Sequence, residues 1–205
     1  MERYRFHGEI CGFGTGSGTR VVVGRWPQSP YGAVADVMLE DSAGHRMLIA
    51  PDERLAAFIT ATYTFDAVVV APVAAERTED RLQVAAGSLS ADVELGDRLL
   101  LGHVLRAVPR ALGATRGWVA VTDPIARLLM PGVRTRGRTA GGRREWYAAH
   151  DLRAVAAIRA SWQGDDLGDL SDVEPPVRFG FGSTPRRPSI ASITTTVAVT
   201  ATPRE

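Results

Sequence analysis

Lysine and asparagine are both missing from this 205-residue chain, and all 24 basic side chains are arginine. The two residues share AA-starting codons, so a coding bias toward G and C accounts for their joint absence. The chemistry is constrained all the same. Without an ε-amine the chain forms no lysine Schiff base, no lysine–pyridoxal link, no phosphate-loop lysine and no Ser–Lys dyad. Without asparagine it has no N-glycosylation acceptor, and hairpins that elsewhere turn on Asn-Gly must use glycine or aspartate. The 21 glycines fit that demand. Cysteine is almost absent too. A lone Cys11 makes no internal disulfide, and one thiol with four scattered histidines has no metal-ligand spacing, so neither a metal nor a cofactor is expected.

Long apolar runs are also missing: none nears the roughly 18 residues of a membrane helix. The opening Met1-Glu2-Arg3-Tyr4-Arg5-Phe6 lacks the apolar stretch of a signal peptide, so the expectation is a soluble, cytoplasmic protein with no membrane partner. Excess charge is lacking as well. A net charge of +1 is far from the balance of a dedicated nucleic-acid binder, which argues against that partner. With 45% hydrophobic and 23% charged residues the composition is that of an ordinary globular chain, and one domain over 1–205 is expected.

What the chain does have is strand signal. Tyr4, Phe6 and Ile10 alternate with Arg3, Arg5, His7 and Glu9; the glycine run 12–18 reads as a turn into a second strand over 19–26. Segments 33–40 and 45–50 flank Asp41-Ser42-Ala43-Gly44 as a hairpin. A short amphipathic helix is predicted over 52–63, because Leu55, Phe58, Ile59 and Thr62 recur at helical spacing behind Asp52. Segment 67–73 reads as one buried strand, and 81–86 and 89–95 alternate around Gly87. A helix fits 99–108, a strand 118–121 and a short helix 123–130. Over 145–162 the helical and alternating patterns compete, and two strands are favoured. Strands at 177–181 and 190–199 complete the set. The whole predicts a β-rich α+β fold: a mostly antiparallel barrel or strongly bent sheet of about ten strands with two or three short helices. Gly12-Phe13-Gly14-Thr15 echoes Gly180-Phe181-Gly182-Ser183, and both read as corners of a curved sheet.

Several groups are candidates for chemistry. Arg134, Arg136, Arg138, Arg143 and Arg144 fall among glycines with no acid between them, a pattern suited to a carboxylate or phosphate. Five acids between Asp165 and Glu174 are a possible counterweight, and pairing of the two segments or plain solvation is the simpler reading. Trp146 and His150 follow the basic segment and share a strand face, with Tyr147 and Asp151 on the other. His150 is therefore a candidate acid or base beside an aromatic anchor, although a satisfied histidine is commoner. His103 reads as a core histidine. Asp36 shares a face with Val34, Met38 and Glu40, and an inward face would place two carboxylates in a cavity with raised pKa values. Asp92 and Glu94 read as solvated. Arg186 and Arg187 stand in a polar turn over 182–189 that would add to a positive rim, although a solvated turn is the simpler reading. A dinucleotide loop is excluded, because residues 12–18 contain no G-x-G-x-x-G and open onto a strand instead of a helix.

Three functions follow. The leading one is a β-barrel that binds a small anionic ligand, oriented by the arginines and Trp146. The second is a lysine-independent lyase, isomerase or hydrolase using His150 or Asp36 in the same cavity. The third is an interaction module, docking another chain or a second copy of itself as a homo-oligomer through the basic and acidic segments.

Overall fold

The computed structural model describes residues 2–107, 136–138, 144–180 and 184–199, with backbone alone at 136–138 and 144. Its elements run β1 (Glu2–Thr15), β2 (Arg20–Gln28), β3 (Val34–Glu40), β4 (Arg46–Ala50), α1 (Glu53–Thr60), β5 (Ala67–Val70), β6 (Val73–Arg77), β7 (Arg81–Ala86) and β8 (Leu89–Arg98). Then come α2 (Leu100–Ala107), β9 (Arg136–Arg138), β10 (Arg144–Trp162), β11 (Asp165–Asp166), β12 (Leu170–Ser171) and β13 (Ser189–Val199). The expected strand at 118–121 and helix at 123–130 lie outside the described residues, as do Arg134 and Arg143.

All the described strands join one sheet, whose main path is β5-β4-β3-β2-β1-β13-β10-β8-β7-β6, with β9, β11 and β12 attached beside it. Neighbours on the path are antiparallel except β4 and β5, which are parallel because α1 carries the chain between them. The two ends of the path, β5 and β6, are consecutive in the chain and separated by only Ala71 and Pro72. The sheet must therefore curl until its edges approach, and it forms a half-barrel. Arg25 on β2 reaches across that curl to the carbonyl of Ala75 on β6 at 3.1 Å. The predicted β-rich α+β fold with a strongly bent sheet is the one observed.

Strand alternation gives the sheet two separate cores. Cys11, Phe13, Val21, Val23, Val37 and Leu39 meet Leu82, Val84, Val93 and Val155 from the other half of the sheet inside the curl. The intervening residues, Phe6, Val22, Trp26, Met38, Leu48 and Ile193, face the opposite way and are covered by α1 and by the irregular segment carrying Val173, Val177 and Phe179. Helix α1 starts where expected, since the Asp52 carboxylate accepts the Leu55 N–H at 2.8 Å as its N-cap. It turns Leu55, Ala56 and Ile59 onto this second core.

Five expectations are corrected. Residues 67–73 do not form one buried strand: Pro72 has no N–H to donate, the chain breaks into β5 and β6, and Val68 and Val70 are 46% and 49% exposed on the sheet edge. Residues 145–162 are one 19-residue strand rather than two, bent by irregularities at 149–151 and 153–157 that let it serve β13 and β8 in succession. Residues 177–180 are not a strand but the cover over the second core, held by side chains instead of a ladder. The run Gly12-Phe13-Gly14-Thr15 is no corner; it lies inside β1. A Cβ on Gly12 would stand 1.9 Å from Thr184 Oγ1, and one on Gly14 2.1 Å from the Asp172 carbonyl. These glycines serve close packing, not bending. His103, read as a core histidine, is exposed on α2.

Candidate functional site

A cavity of about 50 Å³ opens in the second core, between α1 and the sheet. Its walls are mostly carbon, from Phe6, Trp26, Met38, Leu55, Phe58 and Ile59. Its polar groups come from three places: Asp36 on β3, Tyr63 beyond the end of α1, and Glu145, Tyr147 and Thr195 on the adjoining strands β10 and β13. Each strand residue lies on the face that alternation assigns to this core.

Asp36 is 3% exposed, and the Trp26 indole N–H donates to its Oδ1 at 2.9 Å. The pair depends on Gly24, which stands opposite Asp36 in the β2–β3 register and so lets the Trp26 ring cross to it. A Cβ on Gly24 would come within 2.6 Å of Asp36 Oδ1 and 2.7 Å of Trp26 Nε1. Gly24→Ala is therefore expected to cost roughly 1–3 kcal/mol of stability, the range for overpacking a tight site. Chemical denaturation measures the loss, and an unchanged midpoint would show that the pair yields freely. Burial raises the Asp36 carboxyl from 3.8 to about 6, with the Trp26 hydrogen bond a smaller opposing influence. This places the group near the pH at which an acid–base residue works in both directions.

On the opposite wall the Tyr63 hydroxyl donates to Glu145 Oε2 at 2.9 Å and forms a short hydrogen bond with the Tyr147 hydroxyl. Glu145 is 4% exposed. Burial, and then the neighbouring Glu145 charge, hold both phenols well above their ordinary pKa, so they stay neutral hydrogen-bonding groups. The Thr195 hydroxyl is buried with no hydrogen-bond partner among the described residues.

The candidate residues separate clearly against this geometry. Asp36 faces the cavity, the less common of the two directions left open for its strand face. Its expected companion Glu40 does not: it sits at the end of β3, where it is bonded to Arg20 at 3.2 Å and Arg178 at 2.9 Å. Glu145 supplies the second carboxyl instead. His150 is not brought to the cavity. Its Nε2 lies 2.8 Å from Thr194 Oγ1, a hydroxyl that also meets His7 Nδ1 at 3.1 Å. Trp146 is half-buried on β10 but does not line the cavity; its neighbours Glu145 and Tyr147 do.

Arg186 pairs with Asp172 and Glu174, each at 3.1 Å, so part of the acidic segment is neutralised by an arginine other than those of 134–144. Arg187 is exposed. Of the basic segment, β9 lies against β10 with Gly137 opposite Glu145, Arg136 opposite Trp146 and Arg138 opposite Arg144. Its backbone thus runs beside a cavity-lining strand residue. Cys11 is a buried thiol pushed up to about 12, chiefly by desolvation, and is inert at neutral pH. Among the described residues no group of three or more potential ligands is placed to hold a metal ion, and no helix is long and apolar enough to cross a membrane.

Fold and site together define a β-rich half-barrel with a small, acid-bearing cavity beneath one helix. No protein-family model and no curated protein sequence matches the chain. Among solved structures it is similar to acetoacetate decarboxylase from Legionella pneumophila subsp. pneumophila str. Philadelphia 1, at 11% identity and a TM-score of 0.48, over 97% of this chain and 85% of that one. It is also similar to a protein from Nitrosomonas europaea described as a putative ATTH, at 14% identity and a TM-score of 0.28, over 95% of this chain. The chain spans 50% of the length of that second protein. Both likenesses concern shape at low identity, and no activity is carried over from either.

Proposed function

We propose that the protein binds a small molecule in the cavity beneath α1. The observation that carries this reading is the convergence on one apolar void of Asp36, Glu145, the tyrosine pair and a Thr195 hydroxyl with no partner among the described residues. A pocket of mostly carbon walls with a few placed polar groups is the usual form of a small-molecule site. At about 50 Å³ this one holds roughly three to five waters, or a ligand part with a similar number of non-hydrogen atoms. In this proposal the arginines of 134–144 anchor a carboxylate or phosphate elsewhere on the ligand, because the backbone of β9 lies beside Glu145. Native mass spectrometry of the freshly purified protein, set against its denatured mass, tests the reading. A discrete added mass lost on denaturation is expected. An apo mass that stays unchanged when the protein is incubated with small-metabolite mixtures would reject it.

A second reading, an enzyme in the same cavity, is favoured by one specific observation: Asp36 is held near pH 6 by burial. In that case Asp36 is the acid–base group, and the chemistry needs no lysine. Asp36→Asn would then bind ligand and lose turnover. The third reading, self-association through the basic and acidic segments, is weakened because Arg186 already pairs with Asp172 and Glu174.

A further inference from the structure

We propose that the ligand presents a small organic ammonium group to this cavity, seated against Asp36 among the rings of Phe6, Trp26, Phe58, Tyr63 and Tyr147. The inference rests on the small-molecule reading above and names the chemistry of the buried end of the ligand.

The hydrogen-bonding inventory of the cavity points this way. Asp36 and Glu145 are carboxyl groups that accept when ionised. The Trp26 N–H is already spent on Asp36, and the Tyr63 hydroxyl donates to Glu145. Among the described residues the buried Thr195 hydroxyl has no partner, and it can accept through its lone pairs as well as donate its one proton. Among the described lining residues there is no arginine or histidine. Among the described lining groups the Asp36 carboxylate keeps acceptor capacity that the one Trp26 N–H does not fill, and a ligand that satisfies it brings donors or positive charge. An anion placed here would meet the Asp36 carboxylate in a poorly solvated space, where like charges repel far more strongly than in water.

The rest of the lining separates an organic cation from a metal ion. Calcium and magnesium require six or more oxygen ligands, and this lining is mostly carbon. Aromatic rings attract a cation through their quadrupole, and methylated ammonium groups are the ligands that such cages suit best. The cavity volume admits a nitrogen bearing a few carbons and little more. Asp36 is also poised to respond: burial keeps it protonated to about pH 6, and a cation beside it stabilises the ionised form. Binding therefore releases a proton and tightens as pH rises from 5 to 7.

Isothermal titration calorimetry of the full chain with tetramethylammonium, methylammonium and acetate tests the proposal. Both ammonium ions are expected to bind and acetate not, with affinity rising about tenfold between pH 5 and 7. Asp36→Asn keeps the shape and an oxygen for the Trp26 N–H, and is expected to weaken both ammonium ions at least tenfold. Thr195→Val is a second, nearly isosteric variant. It should weaken methylammonium, which has N–H groups for the Thr195 oxygen, and leave tetramethylammonium unchanged. Binding of acetate in place of the ammonium ions, or ammonium binding indifferent to Asp36→Asn, would overturn the inference while leaving the small-molecule reading standing. If no probe binds and no mass co-purifies, both fail together.

Discussion

Glu40→Ala is expected to destabilise the protein by about 3–5 kcal/mol, the cost of leaving one partner of a buried ion pair uncompensated. Glu40 has no exposed surface. Its Oε1 accepts from Arg178 Nε at 2.9 Å and lies 3.2 Å from Arg20 Nη2, while its Oε2 accepts the backbone N–H of Arg178 at 2.8 Å. Removing the carboxylate leaves the charge of Arg20, which is 3% exposed, with only the Asp41 carbonyl, and its Nε has no partner among the described residues. It also frees the backbone at Arg178, between Val177 and Phe179, so the cover over the second core loosens. Urea denaturation should show the loss. Truncating the other partner is a different matter. The Arg178 side chain is 66% exposed, so Arg178→Ala should cost no more than about 1 kcal/mol. Equal losses from the two variants would show that burial of Arg20 is not what makes Glu40 important.

The second large effect is a pH dependence from Asp36. Its carboxyl is raised from 3.8 to about 6 on folding, so between those values the folded state holds a proton that the unfolded state has lost. Stability contributed by this group is thus greatest below about pH 4, declines as pH rises through the window and is flat above about 6. The full span is about 3 kcal/mol, at 1.36 kcal/mol per pKa unit. Asp36→Asn carries no charge at any pH and escapes the decline. Relative to the parent, it should gain up to that amount of stability on going from pH 4 to pH 7, measured by urea denaturation at both. A difference that stays constant across the range would show that Asp36 titrates as an ordinary exposed aspartate.

Much of the fold was legible in local pattern, and the site only partly so. The hairpin of β3 and β4 could be read from alternation around Asp41-Ser42-Ala43-Gly44, and Gly44 does take the positive φ, 86°, that the turn needs. The cap at Asp52 and the apolar face of α1 followed from short-range spacing for the same reason: both are contacts within one turn of helix. Alternation within a single strand grouped Asp36 with Val34 and Met38, but only the packing of α1 over that face turned it inward. Glu145 and Tyr147 share a strand face by the same rule, but the histidine and tryptophan beside them carry the stronger chemical signal in sequence. One residue of offset exchanges the two faces of β10, and the irregularity at 149–151 changes the phase again. The Trp26–Asp36 bond and the partners of Glu40 had no local signal. The first needs the register of β2 against β3; the second joins residues 138 positions apart.

By itself the sequence determined the β-rich class, the exclusion of lysine and disulfide chemistry, the positions of most strands and of α1, and the strand face that Asp36 shares with Val34 and Met38. These depend on residue type and on periods of two or 3.6 residues, which act within an element. Only the tertiary structure decided that the sheet curls until β5 and β6 stand at its two ends, that the cavity lies beneath α1 and not inside the curl, and that Asp36 shares it with Tyr63, Glu145 and Thr195. Those outcomes depend on which strands pair and in what register. Pairing is a contact between distant parts of the chain, won by the burial of two whole faces at once, and no single segment carries the information that selects it.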